Sequence, residues 1–257
     1  MTDKLSTARF GNPHRHFRQV GSTNTVAREL AEAGAPNGTV VTADEQTAGR
    51  GRQGRTWTAP PGAALLYSAI VRPLGKRHPL LPLAVPLAVC EVAERLRGVE
   101  CKVKWPNDVH LDGRKLAGIL IEARPQDEWA VLGIGLNLTI AEDEFPEELR
   151  GRATSLFADR SAPTYPSHAR ISRSASGGVA EGVRVALSEA LGRWVETDSE
   201  AILAQWRERD TLLGREVSWE RGSGVAEGID ERGYLLVRLA DGDRVALGAG
   251  DVHLTSF

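Results

Sequence analysis

The chain of 257 residues has only two cysteines, Cys90 and Cys101, and neither sits in a Cys-x-x-Cys spacing. That excludes a disulfide framework and leaves reduced thiols in a core as the plain reading. The six histidines are scattered rather than grouped at metal spacing, so no residue is assigned to a metal. No apolar run reaches the roughly 18 residues of a membrane span, and the N-terminus lacks the apolar stretch of a signal peptide. A cytoplasmic protein with no membrane partner is expected. Net charge is also small, −2, which argues against a dedicated nucleic-acid binder held by a broad basic field. There is no Ser/His/Asp or Cys/His pattern. Neither a P-loop nor a Gly-x-Gly-x-x-Gly turn is present, and no internal repeat is seen. What is present is ordinary globular composition, 41% hydrophobic and 26% charged, in a chain long enough for one large domain or a large one plus a small one.

Against this background one stretch is unusual. Gly49 to Arg55 packs three arginines and three glycines into seven residues, between Gln46 and Trp57. Glycines let a ligand approach the peptide groups closely, and arginines present fixed forks of N–H donors that suit phosphates and carboxylates. Such a loop should close over a small anion.

The flanking pattern is that of an α+β protein. His16 to Val20, Thr39 to Ala43, Ala63 to Val71, Cys101 to Trp105, Val109 to Leu111, Lys115 to Glu122 and Trp129 to Leu138 read as strands. Gly133 and Gly135 leave room on the last of these for something pressed flat on a sheet. Helices are expected from Ser22 or Thr23 as N-cap to Gly34, from Leu80 to Leu96, from Val179 to Trp194 and from Ser199 to Arg209, with a short helical piece near Glu144 to Leu149. Residues 172–178 are a linker by composition. From Leu213 onward, turn signals at Arg232-Gly233 and Asp241-Gly242 predict five short strands in about 45 residues, a small antiparallel barrel. The expected division is residues 1–210 and 211–257.

Three constellations carry chemistry: the glycine-arginine loop, Lys104-Trp-Pro-Asn-Asp108, and Lys115-Leu-Ala-Gly118. Each has a simpler alternative. Lys104 and Lys115 could be solvated, Trp57 and Trp105 could be core, Asn107 and Asp108 could be turn formers, and the arginines could touch RNA. Ser22, Thr23 and Asn24 could cap a helix, although a helix N-terminus is also an anion site. Chemistry built from Arg, Lys, Asn and backbone N–H groups implies transfer at a phosphorus or acyl centre by positioning and charge stabilisation.

Taken in order, Gly21-Ser-Thr-Asn24, Gln46-Thr-Ala-Gly-Arg-Gly-Arg-Gln-Gly-Arg55 with Trp57, Lys104-Trp-Pro-Asn-Asp108, Gly113-Arg-Lys-Leu-Ala-Gly118 and Gly133-Ile-Gly-Leu-Asn137 resemble the biotin–protein ligases. Leu213-Gly-Arg-Glu-Val217 and Gly224 to Asp230 resemble that family's C-terminal segment. The resemblance implies a mixed sheet with flanking helices, similar to class II aminoacyl-tRNA synthetases, followed by an SH3-like barrel. It implies a reaction in two steps: biotin and ATP, with Mg²⁺ on the nucleotide, give biotinyl-5′-adenylate, and biotin then passes to a lysine of a biotin carboxyl carrier protein. It places Ser22, Thr23, Asn24 and Gln46 on the biotin ring, and Arg50, Gly51 and Arg52 over the carboxylate and phosphate. Lys115 falls between acyl group and phosphate, with Gly118 and Gly135 as the floor. Arg55, Trp57, Lys104, Asn107 and Asn137 fall on the nucleotide side; Arg50 and Lys115 are the catalytic pair. Only 21 residues precede Ser22, so the DNA binding of repressor-type members is not carried over. Edge strands could pair two subunits. A lipoate-type ligase on the same fold and an RNA-binding module are the competing readings.

Overall fold

A computed structural model describes residues 10–75, 78–158 and 177–248. Seven strands form one sheet: β1 (His14–Val20), β2 (Val40–Gln46), β3 (Ala64–Val71), β4 (Cys101–Lys104), β5 (Asp108–Leu111), β6 (Arg114–Arg124) and β7 (Trp129–Asn137), in the order β1-β2-β3-β7-β6-β5-β4. β1 pairs with β2 in parallel and every other pair is antiparallel. The mixed sheet expected from the sequence is therefore observed. β4 is covered by backbone bonds from Val103 to Arg209 and Thr211, which leaves β1 as the other edge.

The two faces of the sheet are used differently. On one face lie α2 (Leu81–Arg97) and α3 (Gly177–Trp194), with α4 (Ser199–Arg207) packed on α2. Their apolar stripes meet Leu65, Tyr67, Val103, Leu132 and Leu136 in the main core. On the other face, α1 (Thr23–Glu32) sits at the β2–β3–β7 end, with Ala27 and Ala31 on Val41, Ile70 and Val131. β3 is thus buried on both faces, which is why it reads as an unbroken apolar run rather than an alternation. Cys90 and Cys101 are free thiols in the main core.

The rest of the pocket-side face is crossed by a strap, residues 141–158. The piece expected as a helix is two single 3₁₀ turns, Glu142–Glu144 and Glu147–Leu149. Pro146 stands between them and cannot supply the N–H that a continuing helix needs. The strap is pinned at Lys115 N to Arg152 O, Thr154 N to Lys115 O and Leu156 N to Asn137 O.

Among the described residues four strands make the C-terminal antiparallel sheet: β8 (Glu216–Trp219), β9 (Gly222–Ile229), β10 (Leu235–Arg238) and β11 (Arg244–Leu247); residues 249–257 of the expected five-stranded unit lie outside the described residues. Val217, Ala226, Leu235 and Val237 from this sheet join Leu203 and Trp206 of α4 in the main core. Each of the valine and leucine side chains contributes about 1.5–3 kcal/mol on burial. The turn before β10 also reaches the main sheet, where Trp105 Nε1 donates to Gly233 O at 3.1 Å. Residues 172–176 of the expected linker lie outside the described residues. No helix among those described is long and apolar enough to cross a membrane.

Candidate active site

Helix α1 begins at the edge of a cavity of about 280 Å³ on the strap side of the sheet. Ser22 occupies the N-cap with extended backbone (φ −155°, ψ 135°), but its side chain makes no capping bond. The capping role expected of Ser22 or Thr23 is taken instead by a residue of β2. Gln46 Oε1 accepts from Thr23 N at 2.7 Å and from Thr23 Oγ1 at 3.0 Å. This satisfies one of the four free N–H groups of the helix start and leaves the Ser22 hydroxyl to the cavity it lines.

Asn24 is fixed just as firmly. Its Nδ2 donates to Glu122 Oε2 at 2.8 Å and to Leu120 O at 3.3 Å. Its Oδ1 lies 2.6 Å from Ser68 Oγ, which is also 2.8 Å from Thr23 Oγ1. One hydroxyl proton serves only one of these two acceptors at a time. The amide is pressed on the sheet at Gly133, where a Cβ would come within 2.2 Å of Asn24 Oδ1. Buried Ser22, Thr23, Asn24 and Ser68, with half-buried Gln46, together make a polar recess.

The glycine-arginine loop folds back on itself. Gly51 N bonds Arg55 O at 2.7 Å, Trp57 N bonds Gly49 O at 3.0 Å, and Arg50 bridges to Thr56. The turn is made by Gln53 (φ 54°) and Gly54 (φ 76°). Arg50 donates to Glu122 Oε2 at 3.0 Å. Arg52 donates to Asn107 Oδ1 at 3.4 Å. Behind the loop, Trp57 lies on the glycine floor, where a Cβ at Gly135 would stand 2.3 Å from its ring and one at Gly118 2.9 Å. The object pressed flat on the sheet is therefore the indole itself, and its buried Nε1 has no acceptor.

The other end of the cavity is cationic. Lys104, Lys115, Arg52 and Arg55 line it, and Asp108 is the one carboxylate among the lining residues. Lys115 Nζ lies 2.8 Å from Asp108 Oδ1, out of line for a hydrogen bond, and 5.7 Å from the centroid of the Trp57 ring, within cation–π range. Burial, then the neighbouring Lys115, Arg55 and Arg215, lower the Lys104 pKa against the opposing pull of Asp108. Burial lowers that of Arg52 too, with Arg55 adding to it and Asp108 opposing. Four cations facing one carboxylate form a site for added negative charge. Asn107 braces β5 on β6 through Ile119, with Nδ2 donating to the Ile119 carbonyl at 2.8 Å. Asn137 Nδ2 donates to Thr154 O at 3.0 Å, tying β7 to the strap.

Every residue that the resemblance assigns to the biotin or the nucleotide side lines this one cavity. Ser68 and Glu122 were missed. Ser68 sits inside an apolar strand and Glu122 looks like a polar strand end, so only the long-range pairing of β3, β6 and α1 reveals them.

The class defined is a mixed-sheet domain whose polar recess runs into a cationic trough suited to added negative charge. The comparisons with known proteins agree. Residues 16–138 match the Biotin/lipoate A/B protein ligase family, and residues 212–254 match the Biotin protein ligase C terminal domain. The chain is 37% identical to the biotin–[acetyl-CoA-carboxylase] ligase of Mycobacterium tuberculosis over 250 residues, 92% of this chain and 87% of the relative. It is 32% identical to the bifunctional ligase/repressor BirA of Bacillus spizizenii over 244 residues, 91% of this chain and 72% of the relative. Among solved structures, the biotin protein ligase from Aquifex aeolicus in complex with biotin and ATP superposes with a TM-score of 0.73 at 28% identity. That match covers 94% of this chain and 97% of the other. The chain belongs to the biotin protein ligase family.

Proposed function

We propose that this chain joins biotin to a lysine of a biotin carboxyl carrier protein in the cytoplasm, in two steps at the one cavity. In the first step a biotin carboxylate oxygen attacks the α-phosphorus of ATP. The bond from that phosphorus to the pyrophosphate oxygen breaks, leaving biotinyl-5′-adenylate. In the second step the lysine amine attacks the acyl carbon, the bond to AMP breaks, and the amine loses a proton. The observation that carries this reading is the polar recess opening directly into a trough of four cations and one carboxylate.

The recess suits a cyclic urea. Both donors of Asn24 are committed to Glu122 and Leu120, so a ring N–H would meet the remaining acceptor capacity of Oδ1. The Ser22 hydroxyl and the positive end of α1 would face the ring carbonyl. Lys115, beside Asp108 and over Trp57, would stand where the carboxylate and the α-phosphate meet, with Arg50 above. Charge that builds on the phosphorus oxygens is then offset by groups already fixed in place. Arg52, Arg55 and Lys104 would face the departing phosphates; Trp57 and Asn137 would line the nucleotide side.

Among the described residues no group of three His, Cys, Asp or Glu side chains could hold a metal. Asp108, the one carboxylate lining the trough and already ion-paired through Oδ1 with Lys115 at 2.8 Å, would be the residue facing Mg²⁺ that arrives on the nucleotide, since that ion takes one or two carboxylates plus phosphate oxygens. When bound it would neutralise phosphate charge. The RNA reading gains no support, because Arg50 and Arg52 turn onto Glu122 and Asn107 rather than outward. Pairing of two copies along β1 is a further part of the proposal, read out by sedimentation.

The test is exchange of labelled pyrophosphate into ATP. Exchange that requires biotin supports the reading. Exchange with lipoate but not biotin would transfer it to the lipoate-type alternative.

A further inference from the structure

Glu122 lies on β6 behind the wall of the cavity and is not among its lining residues. One of its oxygens, Oε2, accepts from Asn24 Nδ2 at 2.8 Å and from Arg50 Nη2 at 3.0 Å. Asn24 belongs to the start of α1 and Arg50 to the glycine-arginine loop, so a single carboxylate oxygen joins the helix start to the loop. We infer that Glu122 is a positioning residue that orients Asn24 for the acid's ring and anchors Arg50 for retention of the acyl phosphate. The inference rests on the biotin–ATP reading above.

Two features give the contact this role. First, the Asn24 amide could sit either way round, and Glu122 makes the shorter of the two bonds that hold its Nδ2, with Leu120 O making the longer. A carboxylate only accepts, so it holds Nδ2 and leaves Oδ1 toward Ser68 and the recess. Without it, Nδ2 keeps only the 3.3 Å contact with Leu120 O. Second, the Arg50 guanidinium has five donors in a rigid fork. The contact with Glu122 uses one of them, and the others stay available to a carboxylate or phosphate. The side chains of the pair are 39% and 26% exposed, so as a surface ion pair the contact would stabilise the fold little. Its effect belongs to orientation.

Replacing Glu122 separates the two functions. Gln keeps an acceptor for Asn24 Nδ2 but removes the carboxylate charge, so that the Arg50 guanidinium is left with a neutral amide oxygen in place of an ion pair. Ala removes both. The experiment measures KM for biotin, kcat, and the rate at which preformed biotinyl-adenylate leaves the enzyme, in wild type, Glu122→Gln, Glu122→Ala, Arg50→Ala and the double variant Glu122→Gln/Arg50→Ala. For Glu122→Gln, KM should stay within about twofold while adenylate leaves about tenfold faster. Glu122→Ala should raise both by about tenfold. The double variant should lose adenylate no more than about twofold faster than Arg50→Ala alone, because the two residues act as a unit. Multiplying effects, or adenylate retained as well or better in Glu122→Gln, would overturn the assignment. If Glu122→Ala does not fold, the Gln variant and the double variant decide alone. A wild-type chain that forms no biotinyl-adenylate would overturn the underlying reading and this inference with it. A wild-type chain that forms it but shows additive variants would overturn the inference alone.

Discussion

Trp57 lies flat on Gly135, so close that a Cβ on residue 135 would come within 2.3 Å of Cε2 of the indole. The same ring covers Gly118 and lies under the Lys115 ammonium. Gly135, Trp57 and Lys115 are thus a stack whose lowest member must have no side chain. Gly135→Ala should push the indole off the floor at a cost of about 1–3 kcal/mol, the usual range for overpacking. Biotin and ATP binding should weaken at least about tenfold, and the tryptophan emission should shift, while far-UV circular dichroism stays unchanged. Titration calorimetry and fluorescence on the variant check this; wild-type affinity would show that the stack is dispensable.

Lys115 is held from both sides, by Asp108 through its ammonium and by the strap through its backbone bonds to Arg152 and Thr154. Lys115→Ala removes the first and keeps the second. Adenylate formation should fall by about a hundredfold or more, in line with the loss of one preorganised charge at a reacting centre. Thermal unfolding should move little. A variant that keeps over about half the wild-type rate would remove Lys115 from the chemistry.

Ser68 supplies the hydroxyl that Thr23 and Asn24 share. It is fully buried, so Ser68→Ala leaves buried acceptors short of a donor at a cost of about 1–3 kcal/mol. KM for biotin should rise more than KM for ATP, because the recess and not the cationic trough is disturbed. Equal increases in both would show that Ser68 serves the fold and not the ring site. Steady-state kinetics with each substrate varied separates these outcomes.

His110, two residues beyond Asp108 on β5, has its pKa lowered from 6.5, chiefly by burial. Lys104 and Lys115 also lower it, against opposition from Asp108 and the Gly113 carbonyl. A histidine that takes up its proton less readily folded than unfolded contributes stability that is fully present above pH 6.5. That contribution is lost as pH falls below 6.5 toward the lowered folded value. His110→Gln should therefore flatten the fall in Tm as the pH drops below 6.5. An unchanged slope in thermal melts between neutral and mildly acid pH would assign the acid sensitivity to other groups.

The sheet was largely legible because its strands announce themselves by apolar runs and by turn residues such as Asp112-Gly113 and Arg124-Pro125. The cavity lining was legible through motifs that keep unusual residues close together in the chain. What the sequence hid has one physical cause, distance along the chain. Gln46 caps a helix that begins 23 residues earlier, and Ser68 reaches Asn24 across 44 positions. Glu122 reaches Asn24 across 98 positions. The strap over residues 141–158 has no period to read, since its shape comes from single bonds to Lys115 and Asn137 rather than from a repeating ladder. At the glycines that leave room on the sheet, the group pressed flat is the protein's own indole, Trp57 on Gly135 and Gly118.

The central claim is that one cavity activates biotin and hands it to a carrier lysine. Incubating the chain with ATP, Mg²⁺, biotin and an apo carrier domain, and reading the carrier by intact mass spectrometry, tests it most directly. The expected result is a mass increase of one biotinyl group on a single lysine, lost when ATP is omitted or Lys115 is replaced by alanine. A carrier left unmodified by the wild-type chain, or modified by lipoate in place of biotin, would contradict it.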